Sequence, residues 1–562
     1  MKDRNKGTIF DKLYHMCISV VVVIFSLISI YLFFLSIFST AYVSSTANQF
    51  HEYTYFVKDN PMIHLGVIAG ICLTVALLSH CYGEKQKRFI EKKGLFIVPF
   101  FFWLLLVVWV FVSQMEPGSD QYCIFDCAAR LADGDYSVFA PGGYLERYPF
   151  QTFLVLIVYC FQFVFGKHHY LAFQCFNALF LSGIYLLYRK ISEEMYHEKL
   201  IGEITYLAIA LFFPLFFYVG FCYGSIPGLF FGLLGLMYGI RYLNTSEIRY
   251  GVLSAFILAV CPYMKNSCLI FMIAYILMLV VACFRKRKVT PLVVAAGMIV
   301  GYFLLGLLIQ AIVFLWTGQT LSKGYPLIGQ IAMGFQNNEM LANGWFNSYT
   351  VDVYEQVGHD YHAAREIYLQ EVRARVLDFW YNKGTAVRFF VEKIASQWNN
   401  PTFQSLWYYN VREAMIERSP WVESVINGTG ARVLCTIANY LQSFFLFGNL
   451  SYLVYRWKKI KLDELLLQVC FLGGFFLHLL VEAKSQYVLM FYVLILPLVV
   501  KGLEEFIADF RQLIFEKKVS RKMIIFVVSV IVMILVIRFT PGKVFDVLFR
   551  LEKDAHLLSS RT

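Results

Sequence analysis

The chain has 562 residues, 59% of them hydrophobic and only 15% charged, with a mean hydropathy of +0.60 and a formal net charge of +11. So little polar surface cannot coat a water-soluble particle of this size, which makes lipid the main solvent and excludes a soluble enzyme. Nucleic acid is excluded as a partner as well, because the basic residues sit in short connections between apolar runs, where they set membrane orientation.

A segment that crosses about 30 Å of hydrocarbon must satisfy its own backbone groups, so the apolar runs are read as helices. The first, 17–38, follows Lys2, Arg4, Lys6 and Lys12; it is longer than a signal peptide's apolar core and reads as an uncleaved anchor. Runs at 62–81, 95–114, 169–188, 200–219, 225–242, 250–263, 267–284 and 291–316 follow. After a long polar segment come 431–455, 464–481, 486–500 and 522–538. The expected fold is an all-α polytopic membrane protein with about thirteen spans.

Short loops rich in Lys and Arg prefer the cytoplasm. Basic clusters at 85–93, 189–199, 241–249, 285–288, 456–461 and 501–522 share that side only if an even number of crossings separates each pair. Three apolar runs lie between Lys93 and Arg189, so one of them does not cross. The run 150–166 is the shortest, opens with Arg147-Tyr148-Pro149 and closes with Gly166-Lys167-His168-His169. It is read as a juxtamembrane helix on the outer surface. The alternative is a true span that places the Arg189 cluster outside. On the first reading the amino terminus is inside and the carboxyl tail outside, although Lys543, Arg550, Lys553 and Arg561 run against the charge rule there.

This divides the chain into a membrane domain, 1–316, with an outer loop at 115–168; an extracytoplasmic segment, 317–430; and C-terminal helices with a tail, 431–562. The middle segment contains helical stretches at Tyr361–Tyr381 and Lys383–Trp398. Its Trp345, Trp398, Trp407, Tyr408 and Tyr409 lie amid Asn337, Asn338, Asn399, Asn400 and Gln404. Aromatic faces with amides suit a sugar, and they equally suit the anchoring of a cap at the interface. Most of the thirteen cysteines fall inside spans, as do Cys72, Cys261 and Cys470, and no disulfide framework is assigned.

Pro117 and Gly118 end the third span, which puts Asp120 immediately beyond the membrane boundary. A carboxylate there can accept a proton from an acceptor hydroxyl, and the adjacent low-dielectric region strengthens its electrostatic contacts. A solvated loop acid is the plain alternative.

The pattern Ser119-Asp120-Gln121-Tyr122, then Leu131-Ala132-Asp133-Gly134-Asp135-Tyr136, then Tyr148-Pro149 opening an apolar helix, resembles the first outer loop of the class C (GT-C) membrane glycosyltransferases. These include the protein O-mannosyltransferases, the lipid A aminoarabinose transferases and bacterial polyprenyl-phosphate-sugar-dependent transferases. The similarity is strongest over 115–190. It implies an enzyme of the cell membrane that moves a sugar from a polyprenyl-phosphate donor to a polymer, lipid or protein acceptor at the cell surface, with Asp120 as the catalytic or acceptor-orienting carboxylate. It also implies that the helix after Tyr148-Pro149 is juxtamembrane, in agreement with the charge parity.

A departing lipid phosphate needs cations. The resemblance points to Arg147 beside Tyr148, to Lys265 in Pro262-Tyr263-Met264-Lys265-Asn266-Ser267, and to Lys484 in Glu482-Ala483-Lys484-Ser485-Gln486-Tyr487. Each could equally be an interfacial side chain reaching toward water. Tyr148, Tyr223 and Tyr487 are the accompanying candidate substrate contacts. One departure concerns the outer loop Val219-Gly220-Phe221-Cys222-Tyr223-Gly224, which lacks the second carboxylate of the family's metal-using members. A divalent ion at Asp120 would then need other donors, so no metal is assigned. Asp126, Asp133 and Asp135 are candidate helpers, with surface solvation the plainer reading of each.

Two rival functions remain in the sequence. A transporter or flippase for lipid-linked saccharides would place more charge or broken helices within the spans. A polymerase or non-catalytic assembly subunit would share the large outer segment.

Overall fold

A computed structural model of the chain describes residues 9–43, 52–81, 84–338, 342–410, 417–540 and 543–549. Lys2, Arg4 and Lys6 at the start, and Arg550, Lys553 and Arg561 at the end, lie outside the described residues. Helix α1 (Ile9–Phe38) runs into an antiparallel ribbon of β1 (Ser39–Val43) and β2 (Thr54–Lys58), paired from Ser39 with Lys58 to Val43 with Thr54. Then come α2 (Pro61–Cys81), α3 (Glu84–Ser113), α4 (Asp120–Ala132), α5 (Tyr144–Arg147), α6 (Thr152–Phe165), α7 (Tyr170–Tyr196), α8 (Lys199–Leu211), α9 (Phe213–Phe217), α10 (Ser225–Thr245), α11 (Ile248–Met264), α12 (Leu269–Lys286) and α13 (Thr290–Thr317). The next segment carries α14 (Leu327–Gly334), α15 (Tyr349–Gln356), α16 (Tyr361–Tyr381), α17 (Lys383–Trp398) and α18 (Pro420–Asn427). The chain closes with α19 (Thr429–Arg456), α20 (Leu462–Leu480), α21 (Ser485–Tyr492), α22 (Leu496–Glu516), α23 (Arg521–Phe539) and α24 (Lys543–Phe549).

Ten helical segments among the described residues are long and apolar enough to cross a membrane, and two bent pairs bring the number to as many as 12. Val98–Ser113 and Ile248–Met264 are shorter apolar helices. The protein is therefore a helical, multi-pass membrane protein. A two-stranded ribbon is a small addition to the expected all-α fold: β1 begins directly after the span read at 17–38 and pairs with Thr54–Lys58. Asn399 fixes the ribbon in place, accepting from the Ala41 amide at 3.0 Å and donating its side chain to Ser39 O at 2.5 Å.

Two breaks shape the bundle. Pro214 has no N–H to donate to the preceding turn, and the chain bends by 63° between α8 and α9. At Tyr148-Pro149 it bends by 99° into α6. Gln151, just before α6, donates to the Tyr223 hydroxyl, while Phe125 of α4 packs edge-on against Tyr170 just beyond α6, with 4.9 Å between centroids. Both ends of α6 thus sit near the same end of the bundle, as a juxtamembrane helix requires. Glycines on α10 let the neighbouring helices close in: an added Cβ at Gly232 would strike the Phe271 ring, and one at Gly235 would strike Leu258.

The basic connections meet one another at one end. Arg189, buried, binds Glu193 at 2.9 Å and Glu203 at 2.8 Å, and Arg241 pairs with Glu194. Lys501 reaches Glu198 at 2.9 Å, and Arg456 reaches Glu464 at 3.0 Å and Glu505 at 3.2 Å. Lys286 donates to Leu243 O at 2.5 Å. Five clusters therefore share an end, as the parity argument requires.

Candidate active site

At the opposite end, the chain leaves α3 through Pro117-Gly118 and turns at Ser119, whose φ of 53° and ψ of −135° are sparsely populated for a residue with a side chain. That turn makes Asp120 the first residue of α4, with its negative charge at the positive end of the helix dipole. Buried amides then tie two outer loops together. Gln121 accepts from the Cys222 amide at 2.8 Å; Gln174 donates to Met115 O at 2.8 Å and Gly220 O at 3.2 Å; Asn177 donates to Val219 O at 3.2 Å and Phe221 O at 2.8 Å. Each bond removes a buried carbonyl or amide that would otherwise be costly.

Glycines bring the third strip of chain alongside. A Cβ at Gly224 would collide with Met264 O, and one at Gly228 would press on Lys265 Cβ. Only bare backbone there lets the turn between α11 and α12 deliver Lys265 beside Tyr223.

The result is a cavity of about 450 Å³ whose wall includes Asp120, Tyr223, Lys265, Lys484 and Tyr487. Five residues singled out in the sequence, up to 367 positions apart, thus face one space. The Asp120 side chain is half-buried and makes no hydrogen bond or ion pair among the described residues. Lys265 is also half-buried and makes no ion pair among the described residues; its ammonium lies 4.3 Å from the centroid of the Tyr223 ring and 5.2 Å from that of Tyr487. Burial pulls its pKa down to about 8, against the attraction of Asp120, so it remains charged at neutral pH.

Lys484 differs from the expectation of an available cation. Its ammonium is 3.1 Å from Glu52 and 3.8 Å from Glu482. Burial works against its charge, but Glu52 and then Glu482 outweigh it and carry the pKa up to about 12. Burial pushes Glu482 up to about 7, with Lys484 opposing and Glu52 and Asp120 reinforcing. Glu52 and Glu482 were not singled out in the sequence. Glu482 stands directly past a span end, the same signal that marked Asp120. Glu52 lay in a stretch with no assigned element.

Arg147 and Tyr148 do not line the cavity. Arg147 donates to Gly142 O at 2.7 Å and to Glu355 at 3.2 Å. The Tyr148 ring packs between Tyr144 and Tyr325, at centroid distances of 5.0 and 5.1 Å. Both buttress the segment that enters α6. Asp133 and Asp135 are occupied by Lys167 and Arg130, and Asp126 lies 4.0 Å from Arg130.

The aromatic outer segment divides in two. Trp407, Tyr408, Phe346 and Asn347 line the cavity. Trp345, Trp398 and Tyr409 are core: the Trp345 indole donates to Ser396 at 2.9 Å, and Trp109 donates to the Tyr409 hydroxyl at 2.9 Å. Tyr408 donates to Gln486, and Gln404 donates to Glu52 at 3.0 Å and accepts from Ser485 at 3.1 Å, which seals the outer segment onto the start of α21. Among the described residues, no three His, Cys, Asp or Glu side chains form a set that could hold a metal ion.

No protein-family model matches the chain, and no curated protein matches it in sequence.

Proposed function

We propose that the protein is a glycosyltransferase of the cell membrane, transferring a sugar from a polyprenyl-phosphate-linked donor to an acceptor hydroxyl at the outer face. The observation that carries this reading is the pair of Asp120 and Lys265, a carboxylate and an ammonium from distant parts of the chain. Both are free of ion pairs among the described residues, and they face one cavity at the end of the bundle opposite the basic connections. Connections rich in Lys and Arg prefer the cytoplasm, and that preference supports an outer cavity.

In this reading the acceptor hydroxyl gives its proton to Asp120 as its oxygen attacks the anomeric carbon. The bond from that carbon to the phosphate oxygen breaks, and the electron pair leaves on the lipid phosphate. Lys265, held over two tyrosine rings, meets the charge that develops there. Attack opposite the leaving group inverts the anomeric centre. Trp407 and Phe346 offer faces for sugar C–H groups, and Asn347 and Gln486 offer amides for its hydroxyls. The acceptor classes compatible with this site are a surface polymer, a lipid or a protein.

The test is incubation of the purified chain with radiolabelled polyprenyl-phosphate sugars of several kinds. Transfer or hydrolysis of at least one is expected; inertness toward every donor refutes the reading.

A further inference from the structure

Beside Asp120 and Lys265, the cavity wall carries Glu52 and Lys484, and Glu482 stands behind Lys484 to complete a second cluster. Glu52 enters from the connection before β2, while Glu482 and Lys484 enter from the turn after α20. Their side chains are 9, 12 and 17% exposed. Two carboxylates share one ammonium, at 3.1 and 3.8 Å, in a nearly dry place. Asp120 adds a third carboxylate, and Lys265 is the second ammonium at this wall. Fully ionised, the group carries more negative than positive charge before any donor arrives. A phosphodiester adds another negative charge, and like charges repel strongly where water is scarce. A proton is the smallest ion able to compensate.

The two carboxylates are not equal as places for it. Glu52 has the nearer ammonium and also accepts from Gln404 at 3.0 Å. Glu482 has the farther ammonium and a phenol, the Tyr487 hydroxyl at 3.4 Å. Burial already holds Glu482 near neutrality, at about 7.

We propose that binding of a phosphodiester-linked lipid donor places a proton on Glu482, releasing Lys484 from one of its two carboxylates so that its ammonium turns to the phosphate. This rests on the lipid-phosphate reading of the cavity. Glu482 is a positioning residue in it, acting through Lys484. The groups facing Glu482 are Lys484 on its own turn, Glu52 from the connection before β2, Asp120 from α4, Lys265 from the turn after α11, Tyr148 before α6, Tyr223 before α10, Tyr487 on α21, His478 on α20 and Lys393 on α17. The rival proton sites are Lys265 in the cavity wall, with its pKa of about 8, and Lys393, fully buried and donating to Val481 O at 2.8 Å, whose pKa burial pulls down to about 7.

The test uses the full chain in detergent micelles and the methyl diester of decaprenyl phosphate, whose single charge does not change across the pH range used. Titration calorimetry at pH 7.5 in two buffers of different ionisation enthalpy counts protons directly on the unmutated protein. Expected are uptake of more than about half a proton and a Kd that rises roughly tenfold between pH 7.5 and 8.5. Glu482→Gln cuts the rise in Kd between pH 7.5 and 8.5 to the roughly threefold that Lys265 alone gives and reduces the uptake to about a quarter of a proton, whereas Lys393→Met leaves both as in the unmutated protein. Binding with no proton uptake and an unchanging Kd overturns the proposal and leaves the lipid-phosphate reading standing. Uptake undiminished in Glu482→Gln, or lost in Lys393→Met, overturns it too. No binding at any pH overturns the lipid-phosphate reading and this proposal together.

Discussion

Replacing Lys265 with methionine removes the one cavity ammonium that has no carboxylate partner among the described residues, and keeps a chain of similar length between the Tyr223 and Tyr487 rings. A hydrogen bond to a charged group is worth about 1.5–3 kcal/mol, so the donor's KM should rise roughly tenfold to somewhat over a hundredfold. Because charge on the phosphate grows as the sugar departs, kcat should fall as well. The fold should hardly notice: the lost cation–π contact is worth about 0.5–2 kcal/mol, and a thioether against an aromatic ring returns part of it. Lys484→Met is a poorer probe, since it strands Glu52 and Glu482 without their shared cation. The assay is donor saturation of transfer by purified Lys265→Met, with thermal unfolding run alongside. A donor KM and kcat equal to those of the unmutated protein would refute the assignment of Lys265 to the phosphate.

Three further outcomes follow from the same geometry. The pKa of Lys393 is lowered in the fold to about 7 from the ordinary 10.5, so the unfolded chain binds its proton more tightly and stability rises with pH between about 7 and 10.5. Lys265 adds in the same direction above about 8. In unfolding measurements across that window, Lys393→Met should remove a slope of at most about 1.4 kcal/mol per pH unit and leave the Lys265 share; an unaltered slope would exclude Lys393 as its source. Gly224→Ala drives a Cβ into the backbone oxygen of Met264, which should destabilise the protein by about 3 kcal/mol, the upper end of overpacking, and displace Lys265; a melting temperature within a degree of the original would contradict the close packing. Cysteine at the exposed Ser119 should react with a membrane-impermeant thiol reagent in intact cells, and cysteine at Lys190 only after permeabilisation, each measured above the background of the native thiols; the reverse pattern would place the cavity in the cytoplasm.

Much of the architecture was legible because a bilayer restricts what a chain can do. Each expected span coincides with helical structure, and the parity of basic clusters, with the short length and the flanking turns of 150–166, singled out α6 as the run expected to lie along the outer surface. The helices Tyr361–Tyr381 and Lys383–Trp398 were readable from composition outside the membrane. The ribbon was not, since Ser39–Val43 and Thr54–Lys58 are five residues each and their pairing leaves no pattern in the sequence. In the site, Asp120, Tyr223, Lys265, Lys484 and Tyr487 converge because each stands where a span ends, a position visible in sequence. What sequence could not convey is pairing in space. Lys484 reads as an available cation until Glu52, more than 400 positions away, appears 3.1 Å from it. Arg147 and Tyr148 stand beside the right boundary too, but a 99° bend turns them into a buttress.

The account rests on the carboxylate of Asp120 acting in the transfer step, and Asp120→Asn tests this most directly because the amide keeps size and shape while losing basicity. Donor affinity and single-turnover transfer are measured on the same purified preparation, with the labelled donor that the unmutated protein consumes. The expected result is transfer slowed at least about a hundredfold, the usual scale for loss of a general base, with donor affinity changed by less than about threefold. Transfer at the unmutated rate would show that the hydroxyl loses its proton elsewhere and would remove Asp120 from the reaction.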